Sequence, residues 1–194
     1  MQSVCVYCGS ADGVRKEYLE AAYRLGALLA KRGIRLIYGG GRTGLMGALA
    51  NGALGAGGEV IGVIVPSMNT PALAHPALSA MEVMPDMHAR KARMHELADG
   101  YIALPGGFGT FDELFETITW AQIGHHQKPI GLLNVLGYFD RLLAALDYAV
   151  KEKFIFQEHR AALHAHEEPE VLLRLMENHR PPLDAIRRWM RETG

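Results

Sequence analysis

Short apolar segments alternate with longer amphipathic ones along most of this chain, and that alternation constrains the fold more than any other feature. The apolar segments predict strands at residues 3–7, 35–38, 60–65, 101–104 and 129–133, with weaker candidates at 81–83 and 163–166. The segments between them predict helices at residues 15–32, 45–56, 86–98, 110–123, 138–152 and 169–178, followed by a short basic helix at 183–191. Alternation at this spacing favours right-handed parallel βαβ units. We therefore expect an α/β fold with a doubly wound parallel sheet flanked by helices.

Length and composition place the chain among ordinary globular proteins. It has 194 residues, of which 49% are hydrophobic and 21% are charged, so we expect one domain over residues 1–194. A formal net charge of −1 argues against nucleic acid as a partner. The longest apolar runs are far shorter than the roughly 20 residues that cross a membrane. Because the first residues also lack the basic region of a signal peptide, we predict a cytoplasmic protein with no membrane contact.

A first glycine-rich loop follows the second predicted strand. Its sequence Gly-Gly-Gly-Arg-Thr-Gly at residues 39–44 contains the G-x-G-x-x-G pattern of dinucleotide-binding proteins. That pattern also expects an acidic residue at the end of the next strand, and none occurs between Glu59 and Glu82. A conventional NAD site is therefore disfavoured. Two interpretations stay open, a close approach to phosphate or ribose and a purely structural turn.

A second glycine-rich loop follows the predicted strand 101–104. It reads Pro-Gly-Gly-Phe-Gly-Thr-Phe-Asp-Glu over residues 105–113. Its three glycines let a ligand approach the backbone, and the N–H groups at the start of a helix favour an anion such as phosphate. The loop lacks the Gly-Lys-Ser/Thr ending of a P-loop. Glu113 has a second interpretation, because Thr110-x-x-Glu113 is also a capping-box pattern.

An arginine lies on the apolar face of the third predicted helix. Arg90 follows Met87 by three positions and precedes Met94 by four, so helical geometry places it inward. A buried arginine needs an anionic partner, unless its head group extends to water. We interpret Arg90, which Lys91 flanks, as directed either at a ligand phosphate or at Glu113.

Neither the cysteines nor the histidines predict a metal or redox centre. Cys5 and Cys8 have the C-x-x-C spacing of thioredoxin-type motifs, but Cys5 falls inside a predicted strand, so we expect two reduced, buried thiols. The nine histidines include no pair at recognised metal-ligand spacing with a carboxylate. We expect no metal and no organic cofactor.

The motifs in and around these loops resemble those of the LONELY GUY (LOG) family, which consists of cytokinin riboside 5′-monophosphate phosphoribohydrolases that are also active as AMP nucleosidases. The family's P-G-G-x-G-T-x-x-E motif matches residues 105–113 without a gap, and its M-H-x-R-K motif matches residues 87–91. Other segments that look like family signatures are Cys-Gly-Ser at 8–10, Tyr-Gly-Gly-Gly at 38–41, Gly-Leu-Met-Gly at 44–47 and Ile-Thr-Trp-Ala-Gln at 118–122.

The resemblance implies a Rossmann-like fold, a homodimer and hydrolysis of the N-glycosidic bond of an adenine-type nucleoside 5′-monophosphate. By motif position, it implies that Arg90 and Glu113 are catalytic. The substrate-binding residues that it implies are Arg90, Lys91, Gly107, Phe108, Gly109, Thr110, Phe111, Asp112, Glu113 and Thr119. One departure precedes the R-K pair, where relatives often carry a glutamate and this chain has Pro-Ala-Leu-Ala at 71–74. That departure concerns recognition of the base, not cleavage.

The chemistry of the residues agrees with the implied reaction. Cleavage of a ribosyl C–N bond builds positive charge on the sugar ring, and a carboxylate such as that of Glu113 can stabilise this charge and orient or deprotonate water. The rival functions are a nucleotide or pterin carrier without turnover, a dehydrogenase and a pyridoxal-dependent decarboxylase. A carrier needs the phosphate loop but no carboxylate beside the ribose, so Glu113 together with Arg90 favours the enzyme.

Overall fold

The computed structural model describes residues 1–191, and in this part of the chain seven strands form one sheet in which all neighbouring strands are parallel. The strands are β1 (Ser3–Tyr7), β2 (Arg35–Tyr38), β3 (Val60–Ile64), β4 (Ala80–Val83), β5 (Tyr101–Ala103), β6 (Ile130–Leu133) and β7 (Leu163–His166). The helices are α1 (Lys16–Lys31), α2 (Gly44–Gly55), α3 (Met87–Leu97), α4 (Phe108–Gln122), α5 (Asp140–Lys151), α6 (Gln157–Ala161), α7 (Pro169–Glu177) and α8 (Leu183–Met190). This architecture confirms the predicted α/β fold with a parallel sheet flanked by helices.

The order of the strands determines where a ligand can bind. It is β4-β3-β2-β1-β5-β6-β7, so the chain winds outward from β1 to one edge and then returns to the other side of β1 as β5. Ligands bind at such a reversal, beyond the carboxyl ends of the strands. Gly9, just after β1, connects the second glycine-rich loop to the start of α2, the helix that follows the first loop. Its amide donates to the Pro105 carbonyl at 3.0 Å, and its own carbonyl accepts from the Leu45 amide at 3.0 Å.

Apolar side chains cover both faces of the sheet, as its continuous apolar strands predict. Along β1, Val4 and Val6 pack into the layer formed with α1, α2 and α7, whereas Cys5 and Tyr7 pack into the opposite layer with α3, α4 and α5. None of these four side chains is more than 2% exposed. Cys5 and Cys8 are both free and buried, as expected from the sequence.

Several element boundaries differ from those that the sequence predicts. The helix expected at 138–152 begins at Asp140, because its N-cap Phe139 has a ψ angle of 1°, outside the helical range. The turn before it contains Leu136 and Gly137 with left-handed φ angles of 54° and 69°. The short helix α6 is absent from the sequence-based expectations. The last three residues of the predicted domain, 192–194, lie outside the described residues. Across residues 1–191, the helices are too short or too polar to span a membrane.

Candidate active site

A cavity of about 540 Å³ lies at the carboxyl ends of the central strands. Its polar wall combines the two glycine-rich loops with Arg90 from α3 and with Asp112 and Glu113 from α4. Its larger apolar side chains are Val6, Val14, Tyr18, Leu45, Met46, Ile64, Met68, Leu73, Met87, Phe108 and Tyr138. A few charged groups beside a large apolar surface are typical of a site for a small organic molecule.

The second glycine-rich loop leads into an open helix N-terminus. Gly107 is the N-cap of α4, and no side chain among residues 1–191 caps this helix. Within residues 1–191, the amides of Phe108, Gly109 and Thr110 have no hydrogen-bond acceptor. Three such donors at a helix N-terminus are suited to an anion. The capping-box interpretation of Glu113 is wrong, because the helix already begins before Thr110 and the N-cap is a glycine.

Glu113 instead forms a buried ion pair. Arg90 Nη1 lies 3.0 Å from Glu113 Oε1, and the two side chains expose only 7% and 13% of their surfaces. Arg90 Nε donates to the carbonyl oxygen of Val63 at 2.8 Å, which fixes a second edge of the guanidinium group. The predicted inward orientation of Arg90 is confirmed. Of the two anionic partners that the sequence left open, the structure pairs it with Glu113.

The first glycine-rich loop makes room for this ion pair. A Cβ atom at Gly39 would overlap Nη2 of Arg90 and would lie 2.7 Å from the terminal methyl group of Met46. The φ angle of Gly39 is not in the left-handed region, so space and not backbone conformation demands glycine here. The position of the Arg90 guanidinium therefore depends on the missing side chain at residue 39.

The N-terminus of α2, which follows this first loop, is occupied by the protein itself. The Gly44 amide donates to Oδ1 of Asp12 at 3.1 Å. The amides of Leu45 and Met46 both donate to the carbonyl oxygen of Gly9, at 3.0 and 3.3 Å. These three donors are already satisfied, so the hydrogen bonds favour the interpretation of this loop as a structural turn.

Burial and charge act on Glu113 in opposite directions. Burial raises the pKa of Glu113 above its ordinary value, whereas the guanidinium of Arg90 opposes the rise. A carboxyl group with a raised pKa at a cavity wall is suited to exchange protons near neutral pH. In its ionised form it can also stabilise positive charge that develops on a bound molecule.

Seven of the residues implied by the family motifs line the cavity: Arg90, Gly107, Phe108, Gly109, Thr110, Asp112 and Glu113. The structure does not bring the other three to it. Nζ of Lys91 pairs with Asp112 at 3.2 Å and with Glu116 at 3.0 Å. Phe111 packs into the apolar layer between the sheet and α3, α4 and α5. The hydroxyl of Thr119 donates to a backbone carbonyl one turn earlier in α4. These side chains already have partners within the fold.

One wall residue comes from a part of the chain that the motifs do not cover. Tyr138 follows β6, lines the cavity and donates its hydroxyl hydrogen to the carbonyl oxygen of Gly106. The sequence contains a signal for it, since ligands in parallel sheets bind where loops leave the carboxyl ends of strands. The loop after β6 has no glycine cluster, so that signal is weak.

A second missed part of the wall is the segment 66–79 between β3 and β4. It lies across the first glycine-rich loop, where the Arg42 amide donates to the Leu73 carbonyl at 2.9 Å and Gly41 pairs with Ala74 in an isolated antiparallel bridge. The departure from the family pattern noted above lies within this segment. No local sequence pattern predicts that the segment folds back over the loop.

Known proteins resemble this chain over most of its length. A family model described as possible lysine decarboxylase matches residues 46–176. The chain is 44% identical over 183 residues to the cytokinin riboside 5′-monophosphate phosphoribohydrolase LOG7 of Arabidopsis thaliana, a match that covers 94% of this chain and 84% of that protein. It is 46% identical over 175 residues to the cytokinin riboside 5′-monophosphate phosphoribohydrolase LOG of Oryza sativa subsp. japonica, covering 90% and 72%. The chain belongs to the LONELY GUY family.

Solved structures share the fold of this LONELY GUY protein. The molybdenum cofactor binding protein of Rippkaea orientalis superposes with a TM-score of 0.69 at 27% identity, covering 92% of this chain and 97% of that one. The molybdenum cofactor carrier protein of Chlamydomonas reinhardtii has a TM-score of 0.68 at 21% identity, covering 91% and 96%.

The decarboxylase named by the family model does not fit the cavity of this LONELY GUY protein. Pyridoxal-dependent enzymes hold their cofactor through a lysine that forms a Schiff base. Among residues 1–191, no lysine lines the cavity. In the same part of the chain, no three His, Cys, Asp or Glu side chains are grouped to hold a metal ion.

Proposed function

We propose that this protein hydrolyses the N-glycosidic bond of adenine-type nucleoside 5′-monophosphates, either AMP or N6-substituted cytokinin riboside 5′-monophosphates. The products are the free base and D-ribose 5-phosphate, so the enzyme is a phosphoribohydrolase of the AMP nucleosidase type. Two relatives named cytokinin riboside 5′-monophosphate phosphoribohydrolase, at 44% and 46% identity, support this activity. The observation that carries the proposal is the buried pair of Arg90 and Glu113 beside the open N-terminus of α4.

In this proposal the 5′-phosphate binds at the N-terminus of α4. The amides of Phe108, Gly109 and Thr110 donate to its oxygens, and the positive end of the helix dipole favours its negative charge. A Cβ atom at Gly107 or Gly109 would have no neighbour within 4 Å in the described part of the chain, so the backbone there is open to a ligand. Binding energy at the phosphate then holds the ribose against Glu113.

Glu113 carries the chemical step. Its carboxylate stabilises the positive charge that develops on the ribose ring and accepts a proton from the attacking water as the water oxygen bonds to C1′. The C1′–N bond breaks, and the base leaves with the electron pair and takes up one proton. Arg90 is fixed between Val63 and Glu113 and keeps the carboxylate in place. The scheme uses no metal and no organic cofactor.

A carrier without turnover is the second candidate. It is favoured by the structural similarity to a molybdenum cofactor binding protein at 27% identity. A carrier needs an anion site, which α4 offers, but it gains nothing from a buried carboxylate and guanidinium beside the ligand. Burying such a pair costs free energy of desolvation. A catalytic role explains why the protein keeps the pair despite this cost, whereas simple binding of a ligand does not.

Base release from a panel of nucleotides tests the proposal. Purified protein is incubated with AMP, N6-isopentenyl-AMP, GMP and CMP without added metal, and the products are separated by chromatography. We expect adenine or its N6-substituted form together with ribose 5-phosphate. If the adenine nucleotides bind and neither yields free base, the carrier function replaces the proposed one.

Three broader expectations from the sequence belong to this proposal: a homodimer, a single domain over residues 1–194 and a cytoplasmic location. A homodimer is supported by apolar side chains at the cavity, among them Phe108 at 96% and Met87 at 39% exposure, because such exposed groups often mark an interface. Light scattering on the purified protein should give twice the mass of one chain. A mass of a single chain would contradict the dimer.

A further inference from the structure

The turn between β6 and α5 is held in an unusual backbone conformation. Leu136 has φ 54° and ψ 29°, a left-handed region that side chains other than glycine rarely adopt. The side chain of Asn134 closes the turn by bonding to the two residues that follow it, Phe139 and Asp140. Its Oδ1 accepts from the Phe139 amide at 2.7 Å, and its Nδ2 donates to Oδ1 of Asp140 at 2.7 Å. Conformations of this kind persist where the surroundings enforce them, and they concentrate at functional sites.

The residue that this turn places is Tyr138. Phe139, which is fully buried, anchors the next position. The Tyr138 ring meets the Tyr18 ring edge-on, with centroids 6.0 Å apart, and both rings line the cavity. The Tyr138 hydroxyl donates to the carbonyl oxygen of Gly106. Gly106 is tightly enclosed on its other side, because a Cβ atom there would overlap the hydroxyl of Thr110.

The hydrogen bond to Gly106 controls the direction of the next amide. In a planar trans peptide, the carbonyl oxygen and the following N–H point in opposite directions, so fixing one fixes the other. The amide fixed in this way belongs to Gly107, the N-cap of α4, which lines the cavity. This amide has no acceptor within residues 1–191. In the sequence, Gly107 directly precedes the three residues whose amides are open at the helix N-terminus, so its amide extends that group of donors.

We propose that Tyr138 is a positioning residue for the 5′-phosphate, acting through the Gly106 carbonyl and not on the reacting atoms. The inference rests on the proposed function, in which the N-terminus of α4 receives the phosphate. The proposal predicts that Tyr138 and Glu113 differ in the substrates for which they are needed. Loss of the Tyr138 hydroxyl impairs the use of phosphorylated substrates, whereas loss of the Glu113 carboxylate impairs every substrate.

The substitution Tyr138→Phe tests this role, since it removes the hydroxyl and keeps the ring. We expect kcat/KM for AMP to fall about tenfold, the effect of one hydrogen bond that acts on a charged ligand. The value for adenosine should change less than about twofold, because adenosine has no phosphate to position. Tyr148→Phe removes a hydroxyl from a side chain that is 62% exposed on α5, and as the matched control it should leave both values unchanged.

Equal losses for AMP and adenosine in Tyr138→Phe would overturn the inference, as would an unchanged value for AMP. Calorimetric binding of AMP separates this outcome from failure of the proposed function. If the wild-type protein binds AMP but releases no base, the proposed function fails, and binding alone then decides the role of Tyr138. Binding of AMP that is about tenfold weaker in the variant supports the role, and equal binding overturns it.

Discussion

The two glycine-rich loops of this protein have similar sequences and different tasks. Each follows a strand that neighbours β1, and each leads into a helix at the same cavity. At α2 the first amides are bonded to Asp12 and to the Gly9 carbonyl. At α4 the amides of residues 108–110 have no acceptor in the described part of the chain. A glycine pattern alone therefore does not identify an anion site. The hydrogen bonds of the amides decide it.

Glycine also has a different use in each loop. At Gly39 the missing side chain admits the guanidinium of Arg90, a group of the protein itself. At Gly107 and Gly109 the space beside the backbone is open, so a ligand can enter it. In our account the first loop supports the catalytic pair, and the second loop binds the phosphate. Changes in the two loops should therefore affect different steps.

The largest effect is expected from Glu113→Gln, which removes the charge of the last residue of the second loop and keeps the shape of its side chain. We expect kcat with AMP to fall about a thousandfold, because a positioned acid or base contributes roughly 10²–10⁴-fold to the rate. Steady-state kinetics measure the loss, and circular dichroism checks that the fold is retained. Glu170→Gln, at an exposed glutamate in the first turn of α7, is the control and should leave kcat unchanged. Near-normal turnover with a lower free energy of unfolding would assign Glu113 a structural role instead.

The next largest effect is expected when the phosphate is removed from the substrate. Adenosine should have a kcat/KM at least about a hundredfold below that of AMP, since each charge-assisted hydrogen bond contributes roughly 1.5–3 kcal/mol. Part of the loss should appear in kcat, because the phosphate also positions the ribose. The comparison is made with the wild-type enzyme under identical conditions. Similar efficiencies for the two substrates would contradict the phosphate-binding role of the second loop.

A smaller effect is expected from Gly39→Ala in the first loop. The new methyl group displaces the Arg90 guanidinium from its place beside Glu113. Losing one charge-assisted hydrogen bond should lower kcat about 10- to 100-fold. Gly55→Ala is the matched control, because among the described residues a Cβ atom there meets only the hydroxyl of Tyr23 at 3.3 Å. If kcat falls equally in both variants, the steric argument for Gly39 does not hold.

The smallest effect on activity is expected from Asp12→Ala, which frees the Gly44 amide at the start of α2. Loss of this bond should lower the free energy of unfolding by about 1 kcal/mol, as for the loss of a helix cap. The kcat/KM for AMP should stay within about twofold, because α2 does not bind the phosphate in our account. Urea unfolding and steady-state kinetics provide the two numbers. A large loss of activity at unchanged stability would show that the start of α2 takes part in binding.

Much of the fold can be predicted from the sequence, because each buried strand is a continuous apolar run and each long helix has a periodic apolar face. The errors lie at the starts of helices, where the apolar periodicity does not determine which residue is the N-cap. Thr110 and Glu113 imitate a capping box, yet the N-cap of α4 is Gly107, which carries no capping side chain. Helix α5 begins at Asp140 because Phe139 leaves the helical conformation, and the turn before it places Leu136 in a left-handed conformation for which leucine has no intrinsic preference.

The candidate site can be predicted from the sequence where helical periodicity shows which way a side chain points. The inward position of Arg90 follows from its spacing to Met87 and Met94, and the structure confirms it. A motif does not show which way its side chains point. The match at Lys91 therefore does not reveal that this lysine forms ion pairs with two acidic side chains. The bond between Tyr138 and the second loop joins parts of the chain 32 residues apart, and only the folded sheet brings them together.

The central claim is that the open N-terminus of α4, and not that of α2, receives the 5′-phosphate. A crystal structure of the Glu113→Gln variant with AMP tests it most directly, because the variant binds the nucleotide without consuming it. Our account predicts phosphate oxygens within roughly 2.7–3.2 Å of the amide nitrogens of residues 108–110. It also predicts that the bond between Asp12 and the Gly44 amide stays intact. A phosphate bound at the start of α2, with Asp12 displaced, would contradict the account.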